Sequence, residues 1–225
     1  MKSFPSLHSH SYFSLLDGVP SPKDYFERCD DLGMSHIAFT DHGSMGALAE
    51  ATIESAGYNV KPIMGVEAYI VFSMDKIHSS RGKVDGEKMK KISSRHHLIL
   101  LAKNEVGYKN LIKLNNYSWT DGFYSKNNID YKKLFQHTEG LVATSACMSG
   151  VLSKLIKNGK KKLAVKVAKR LKKEFGDDFY VELQLINYEE QEEMNPKLIQ
   201  LAKHLDIPMV LSNDAHFVNK GEHEL

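Results

Sequence analysis

Short apolar runs alternate with longer helical patterns along most of this chain. Seven of the apolar runs predict buried strands, at residues 5–10, 36–40, 62–66, 97–102, 140–144, 179–184 and 208–212. Helical patterns follow most of them, at residues 44–56, 105–119, 148–157, 161–175 and 189–205. Because strands that alternate with helices build parallel sheets covered by helices, the pattern predicts an α/β fold.

The first helix has the clearest boundaries of any predicted element. Ser21 is a favourable N-cap, and Pro22 suits the first helical position. Asp24 is favoured near the positive end of the helix dipole, and Gly33 is a residue that commonly ends a helix. The sequence therefore predicts a helix between Ser21 and Gly33.

The number of strand–helix units indicates how the sheet is arranged. Seven units within 225 residues favour a closed or nearly closed barrel, and an open doubly wound sheet is the alternative. In both folds the active site forms at the C-terminal ends of the strands. Residues 1–225 are predicted to form one domain. The lysine-rich segment 73–95 breaks the pattern and is predicted to be a mobile surface loop.

Composition is typical of a globular protein from a reducing compartment. The chain is 42% hydrophobic and 26% charged, and its net charge is +2, so a surface that binds phosphate must be local. Two cysteines do not indicate a disulfide framework. Since no apolar run is long enough to span a bilayer and no signal-peptide pattern begins the chain, we expect a cytoplasmic protein with no membrane partner.

Imidazole and carboxylate side chains gather where four of the predicted strands end. They are His8 and His10, His42, Glu67, and the pair Asp214 and His216. Residues two apart on a strand point to the same face, so His8 and His10 can bind one metal ion together. A carboxylate such as Glu67 at the end of an apolar run is costly unless it is paired or bound to a metal. The four strand ends together indicate one metal site, which a single His-x-His pair would not.

The types of ligand narrow the choice of metal. Nitrogen and oxygen donors with at most one sulfur suit zinc, manganese or iron, and they argue against calcium or an all-cysteine zinc module. The ligands are too many for one ion. Neighbouring ions that share a carboxylate can bind a phosphate, lower the pKa of a water molecule and stabilise the leaving oxygen. The sequence therefore predicts a metal-dependent hydrolase of phosphate esters.

Periodicity alone leaves a few further residues ambiguous. Asp17 is either a ligand or part of a plain turn, and Cys147 is either a core residue or a soft ligand. His96 and His97 are adjacent, so only one of them can face the barrel interior. Both faces of the run that follows are apolar, and the pattern does not choose between the two histidines.

The full set of candidate ligands resembles that of the PHP (polymerase and histidinol phosphatase) domain. One branch of this family lies at the N-terminus of bacterial DNA polymerase III alpha subunits. The segments similar to that branch are 13–18, 97–103, 107–111, 121–124 and 138–141. The resemblance covers nearly the whole chain, and it selects His97 over His96.

The resemblance implies a distorted seven-stranded TIM-like barrel with two or three divalent metal ions, which would be zinc, manganese or iron. It implies three groups of ligands: His8, His10, Glu67 and Asp214 for one ion, Glu67, His97 and Cys147 for the second, and Asp17, His42 and His216 for the third. The four ligands of the first group would carry catalysis through the bound metals.

The polymerase branch implies a 3′–5′ exonuclease that acts on the 3′ end of a DNA strand and serves proofreading. The palm, fingers and thumb of a polymerase are absent, so we expect no DNA synthesis from this chain alone. A DNA polymerase catalytic subunit or other replisome proteins are the implied partners. Two alternatives stay open, a small-molecule phosphatase of the histidinol-phosphatase type and a non-catalytic structural module of a replicative polymerase.

Overall fold

The computed structural model describes residues 4–222 of the chain. Its strands are β1 (His36–Phe39), β2 (Lys61–Val71), β3 (His96–Ala102), β4 (Phe123–Tyr124), β5 (Lys126–Asn127), β6 (Ile129–Asp130), β7 (Leu141–Thr144), β8 (Phe179–Gln184) and β9 (Met209–Ser212). Its α-helices are α1 (Pro22–Asp31), α2 (Ala47–Glu54), α3 (Met74–Ser80), α4 (Gly86–Ile92), α5 (Glu105–Trp119), α6 (Tyr131–Leu134), α7 (Val151–Lys157), α8 (Lys161–Phe175) and α9 (Glu189–Leu205). Across residues 4–222, no helix combines the length and the hydrophobicity that a membrane crossing requires.

Several helices begin and end where the sequence predicts them. The bounds of α5, α8 and α9 agree with the prediction at both ends. Helix α1 is capped as expected, because Asp24 N donates to Ser21 Oγ at 3.2 Å and Ser21 N donates back to the Asp24 carboxylate at 2.7 Å. Strong periodicity was therefore sufficient to locate α5, α8 and α9, and the cap at Ser21 located the start of α1.

Seven strands form one curled sheet in the order β1-β2-β3-β7-β8-β9, with β6 paired to β2 beside this path. The pairs are parallel except at β3, which runs antiparallel to both β2 and β7. Strands β4 and β5 form a separate antiparallel hairpin. The prediction of a parallel sheet is therefore correct for most of the barrel and wrong for β3.

The extended segment 5–10 closes the barrel between its first and last strands. On the β1 side, Ala38 N donates to the carbonyl of Ser6 at 2.7 Å. On the other side, His10 N donates to the carbonyl of Ala215, just after β9, at 2.8 Å. These bonds link the two edges of the curled sheet, and the predicted TIM-like barrel is confirmed.

The sequence predicts a regular strand over residues 5–10, and this prediction is wrong. Side-chain hydrogen bonds explain why the segment is irregular. Ser9 N donates to Thr40 Oγ1 at 2.9 Å, where a ladder would use a backbone carbonyl. Pro5 has no N–H to donate. The segment therefore makes only isolated bridges. The seventh strand of the sheet is β6, which the sequence does not predict.

The lysine-rich segment 73–95 contains two short helices, so the prediction of a loop is wrong there. Ser73 is the N-cap of α3 and Asp85 is the N-cap of α4. Met74 and Ile77, three residues apart on α3, are buried. The many lysines of the segment obscure this helical spacing of apolar residues in the sequence.

Alternation along β3 separates the barrel interior from the outer layer. Ile99 and Leu101 pack with Ala38 of β1 in a small cluster of their own. Leu98 and Leu100 point to the opposite face, where they join the larger core formed with the covering helices. The apolar interior cluster forms the floor beneath the polar residues described next.

Candidate metal centre

His8 and His10 lie side by side with fully buried side chains. Their Nε2 atoms are 3.1 Å apart. His8 Nδ1 lies 2.8 Å from Oε1 of Glu182 on β8. Burial alone would raise the pKa of Glu182, but His8 and two hydroxyl donors hold that pKa below its ordinary value. An ionised carboxylate can only accept, so the Nδ1 atom of His8 carries the hydrogen.

A second hydrogen-bond chain orients His10 in the same way. Ser14 Oγ donates to Oδ1 of the buried Asp41 at 2.8 Å, and it lies 3.0 Å from His10 Nδ1. Because the serine hydrogen is committed to Asp41, His10 Nδ1 donates to the serine oxygen. Both rings therefore turn Nε2 toward each other, and a cation or a proton must lie between the two lone pairs. Metal-binding histidines are commonly held by such a donated Nδ1 hydrogen.

Asp214 completes this inner group from the other end of the chain. Its Oδ1 atom lies 3.0 Å from His8 Nε2 and 3.3 Å from His10 Nε2. Its backbone is left-handed, with φ at 51°, a conformation that aspartate adopts more readily than most residues. Burial would raise the pKa of Asp214, but His8 and His10 hold it far below its ordinary value.

The charges of the inner group also act on His8. Burial alone would lower the pKa of His8, but the carboxylates of Asp214 and Glu182 outweigh it, and the pKa is raised well above its ordinary value. In the metal-free protein a proton therefore balances the carboxylates. A metal ion would displace that proton, since only the unprotonated imidazole nitrogen is a ligand.

Glu67 projects from β2 into the centre of the cluster and is fully buried. Its Oε1 atom lies 2.8 Å from His97 Nδ1 and 3.3 Å from His8 Nε2. Its Oε2 atom lies 2.5 Å from His42 Nδ1. Burial would raise the pKa of Glu67, but His97, His42 and His8 hold it well below its ordinary value. One carboxylate thus contacts imidazoles from three separate segments, as a bridging ligand must.

Asp17, His42 and His216 form an outer group at the mouth of the barrel. Asp17 Oδ2 lies 2.6 Å from His42 Nε2 and 3.2 Å from His216 Nε2. Partial burial would raise the pKa of Asp17, but His42 and His216 lower it. The ring of His10 stacks on that of His216 with centroids 4.4 Å apart, which joins the outer group to the inner one.

The reversed direction of β3 explains how His97 reaches the cluster. His97 lies near the start of β3, and this start lies at the rim where the parallel strands end. Its Nδ1 atom is 3.8 Å from Cys147 Sγ, which is 3.7 Å from Glu67 Oε1. His96 points away and packs against Phe72, and burial lowers its pKa to about 4. The structure brings His97 and Cys147 to the site and leaves His96 outside it.

Several donor atoms of the cluster lie close together without forming hydrogen bonds to one another. Within the described part of the chain, His42 Nδ1, Glu67 Oε2 and Asp214 Oδ1 are buried without a well-aligned hydrogen bond, despite their short separations from neighbours. Three sets of donor atoms each lie within 4.8 Å of one another: His8, His10 and Glu67; His42, Glu67 and His97; His10, His42 and His216. Imidazole nitrogens, carboxylate oxygens and one thiol suit zinc, manganese or iron. All nine predicted ligands lie in this cluster, and their role as ligands stays a prediction.

Two buried carboxylates of the site, Asp41 and Glu182, were not predicted from the sequence. Glu182 lies within the apolar run of β8, so the cost of burying an unpaired carboxylate could have identified it, as it identified Glu67. Asp41 adjoins His42, and it accepts hydrogen bonds from the hydroxyls of Ser11 and Ser14, which no spacing rule relates to it. Both carboxylates act through the histidines that they orient.

Replacing Glu182 with glutamine should weaken metal binding by about 10- to 100-fold, because the neutral amide no longer holds His8 with Nε2 free. A competition titration against a chelator measures this affinity. Glu190→Gln, which changes an exposed carboxylate on α9, serves as the matched control and should bind metal like the unmodified protein. Equal affinities for the Glu182 and Glu190 variants would remove the orienting role assigned to Glu182.

The cluster opens to solvent through a cleft of about 710 Å³. Asp17, His42 and His97 line its inner part. The rest of the lining is Phe13, Leu15, Leu16, Ser44, Tyr69, Trp119, Phe123, Ser125, Lys126 and Asn127. A cleft of this volume suits a ligand of nucleotide size.

Comparison with known families identifies relatives of the chain. A model described as the PHP domain matches residues 6–185, a range that includes every predicted ligand except Asp214 and His216. The chain is 39% identical over 219 residues to DNA polymerase III subunit alpha of Borreliella burgdorferi and 36% identical over 218 residues to that of Aquifex aeolicus. Each alignment covers 97% of this chain and 18% of the relative. The chain therefore spans less than a fifth of the length of the curated relatives that it matches.

Solved structures show the same fold at low sequence identity. A candidate metal-dependent phosphoesterase from Bifidobacterium adolescentis superposes with a TM-score of 0.56 at 14% identity, covering 98% of this chain and 90% of that one. An amidohydrolase from Chromobacterium violaceum with bound sulfate superposes with a TM-score of 0.58 at 13% identity, covering 95% and 88% of the two chains. At these identities the likeness shows a shared fold.

Proposed function

Because the chain belongs to the PHP domain family, we propose that it is a metal-dependent phosphoesterase whose active site is the cluster at the mouth of the barrel. The observation that carries the proposal is the convergence of His8 and His10. Their Nε2 lone pairs face each other across 3.1 Å, beside Asp214 and Glu67, in a buried site. With Nδ1 of each ring donating its hydrogen elsewhere, the two Nε2 atoms can bind one metal ion, in place of the proton that balances the carboxylates in the metal-free protein.

The proposed ligands form three groups, and the first two of them share Glu67. His8, His10, Glu67 and Asp214 would hold the first ion, Glu67, His97 and Cys147 the second, and Asp17, His42 and His216 the third. Divalent zinc, manganese or iron bound there would neutralise phosphoryl oxygens and lower the pKa of a water molecule.

The chain's own residues would prepare this chemistry before substrate arrives. Glu182 and the Asp41–Ser14 pair hold the inner imidazoles in the orientation that leaves Nε2 free. The outer group stands at the cleft, where Asp17 is half-exposed and can meet substrate first. Rigid placement of this kind reduces the reorganisation that the reaction requires.

The proposed substrate is the 3′ end of a DNA strand, hydrolysed in the 3′–5′ direction as in proofreading. The polymerase III alpha relatives support DNA as the substrate, and the cleft has room for a terminal nucleotide. Since those relatives are over five times longer, we propose that residues 1–225 act as one domain beside a polymerase catalytic region or other replisome proteins, in the cytoplasm.

A labelled oligonucleotide tests the reaction. The protein, stripped of metal and reloaded with Mn²⁺ or Zn²⁺, should shorten a 5′-labelled single strand stepwise from its 3′ end. His8→Ala, prepared identically, controls for contaminating nucleases and should leave the strand intact. If the protein is shown to hold metal and does not shorten the strand, the proposed exonuclease activity is overturned. Turnover of a small phosphomonoester in its place would favour a small-molecule phosphatase, and no turnover of either would favour a structural module.

A further inference from the structure

Two exposed aromatic rings lie side by side on the wall of the metal cleft. Trp119 is 55% exposed and Phe123 is 48% exposed. Their ring centroids are 6.2 Å apart and their planes differ by 21°. We propose, on the basis of the proposed function, that Trp119 and Phe123 are a stacking platform for a nucleobase of a single-stranded nucleic acid whose backbone enters the metal site.

The platform is held rigidly next to the ligand cluster. Trp119 ends α5, and Phe123 begins the β4–β5 hairpin. Asn127 of this hairpin donates from Nδ2 to the carbonyl of Gly43 at 2.6 Å, directly after the proposed ligand His42. The hairpin is therefore anchored to the segment that carries that ligand.

Arg95 also holds this hairpin in place. One of its terminal nitrogens donates to Ser125 Oγ at 2.8 Å, and its Nε atom donates to Asn128 Oδ1 at 2.7 Å. These bonds fix the turn of the hairpin. A base that stacks on Phe123 would therefore meet a preorganised surface.

A cation stands beside the platform, where the phosphate backbone of a strand would pass. Lys126 is exposed, and its Nζ atom lies 4.7 Å from the centre of the Tyr69 ring and 3.1 Å from the Tyr69 hydroxyl. Tyr69 in turn pairs in register with His97. Aromatic faces combined with nearby cations are the means by which proteins bind single strands without sequence preference.

Two leucines extend the apolar lining of the same cleft. Leu15 is 84% exposed and Leu16 is fully exposed, and both precede Asp17. Leu16 has a φ of 65°, which is unfavourable for leucine. Strain of this kind is concentrated at functional sites. The two exposed leucines provide a second apolar surface in the cleft for a base that is not stacked on the platform.

A transient ligand explains this surface better than a permanent protein contact. A protein segment that covered Trp119 and Phe123 would also obstruct the cleft above Asp17, His42 and His97, since these residues line one cavity. A single-stranded nucleic acid would instead use the exposed rings and the open cleft at the same time. Its bases stack on the rings while its phosphates approach the cations.

The chain contains a single tryptophan, so its fluorescence reports on Trp119 alone. We would titrate the metal-loaded protein with a hydrolysis-resistant phosphorothioate pentathymidylate and with an abasic oligomer of the same length. The expected result is saturable quenching by the thymidylate, and much weaker quenching by the abasic oligomer at equal occupancy. Equal responses to both oligomers, or no response at saturation, would overturn the platform and favour a protein contact.

Variants locate the contact independently of fluorescence from the protein. By anisotropy of labelled oligomers, Trp119→Ala should lower the affinity for the thymidylate by roughly five- to 150-fold, with the loss confined to the base-bearing oligomer. Trp119→Phe should restore most of the affinity, which excludes misfolding as the cause. Tyr108→Ala, an exposed aromatic near the other end of α5, is the matched control and should have no effect.

The outcomes separate this inference from the proposed function. Metal-dependent shortening of DNA with an unresponsive Trp119 would reject the platform and leave the exonuclease intact. Base-dependent quenching without hydrolysis would keep the platform and reject the exonuclease. With cleavable substrate, the platform predicts that Trp119→Ala raises KM far more than it lowers kcat.

Discussion

Replacing Asp214 with alanine should lower metal-dependent hydrolysis by about a thousandfold or more and reduce the bound metal. The Oδ1 atom of Asp214 lies 3.0 Å from His8 Nε2 and 3.3 Å from His10 Nε2, so the variant removes a charged ligand from a buried site. Loss of several kcal/mol of transition-state stabilisation corresponds to a rate change of this size. Elemental analysis and initial rates on the same preparations measure both effects.

His8→Ala should give the same loss, although it lies at the opposite end of the chain. The double variant should be little worse than either single variant, because residues that share one ion act as a unit. His204→Ala and Asp177→Ala, which change exposed residues that do not belong to the cluster, are the matched controls and should keep full metal and activity. Full metal retention by one of the two site variants while the other is depleted would contradict a shared ion.

Removing the metal should lower the melting temperature by roughly 10 °C. Glu67, Asp214 and Glu182 are buried close together, and a bound ion would compensate their charge. At a thousandfold excess over the dissociation constant, a ligand stabilises the folded state by about 4 kcal/mol. In a protein of this size, each kcal/mol shifts the melting temperature by about 2–4 °C. Thermal unfolding with chelator and with added metal measures the shift.

The control for this second prediction is a variant that lacks a ligand of the first ion. Asp214→Ala, which keeps the ligands of the other two groups, should show a clearly smaller shift between the metal-free and metal-loaded states, whereas Glu190→Gln should show the full shift. An unmodified protein that melts at one temperature under both conditions would contradict a metal bound in the core. A large shift in a protein that hydrolyses no phosphate ester would support the structural-module alternative.

Much of the cluster was predictable because several of its segments obey local rules. His8 and His10 share a strand face by their spacing, and Glu67 is a carboxylate that an apolar run leaves without a partner. These rules do not depend on knowing how the segments meet. The structure adds how the segments come together, since segment 5–10 forms a hydrogen bond to the segment after β9.

His97 shows where local rules were insufficient. Its position at the start of an apolar run contradicts a site at the ends of parallel strands, and only the family resemblance selected it. The structure resolves the contradiction, because β3 alone among its sheet neighbours is antiparallel. Strand direction depends on the connections between strands, which hydrophobic periodicity does not encode.

Other misses have physical causes of their own. Glu182 lies inside a strand whose neighbouring residues are mostly apolar, so the pattern predicts the strand and not the carboxylate's role. In segment 73–95 lysines outnumber the buried residues, which favours the prediction of a loop. The exposure of Trp119 could not be predicted, since an aromatic residue at a helix end is buried or exposed according to the hairpin beside it.

The most direct test is to locate the ions. Crystals of the metal-loaded protein, measured at the absorption edge of the bound metal, should show an anomalous peak about 2.0–2.2 Å from both His8 Nε2 and an Asp214 carboxylate oxygen. That peak would place one ion where the first and last segments of the barrel meet. Ions bound at full occupancy whose peaks all lie away from His8 and Asp214 would contradict the account.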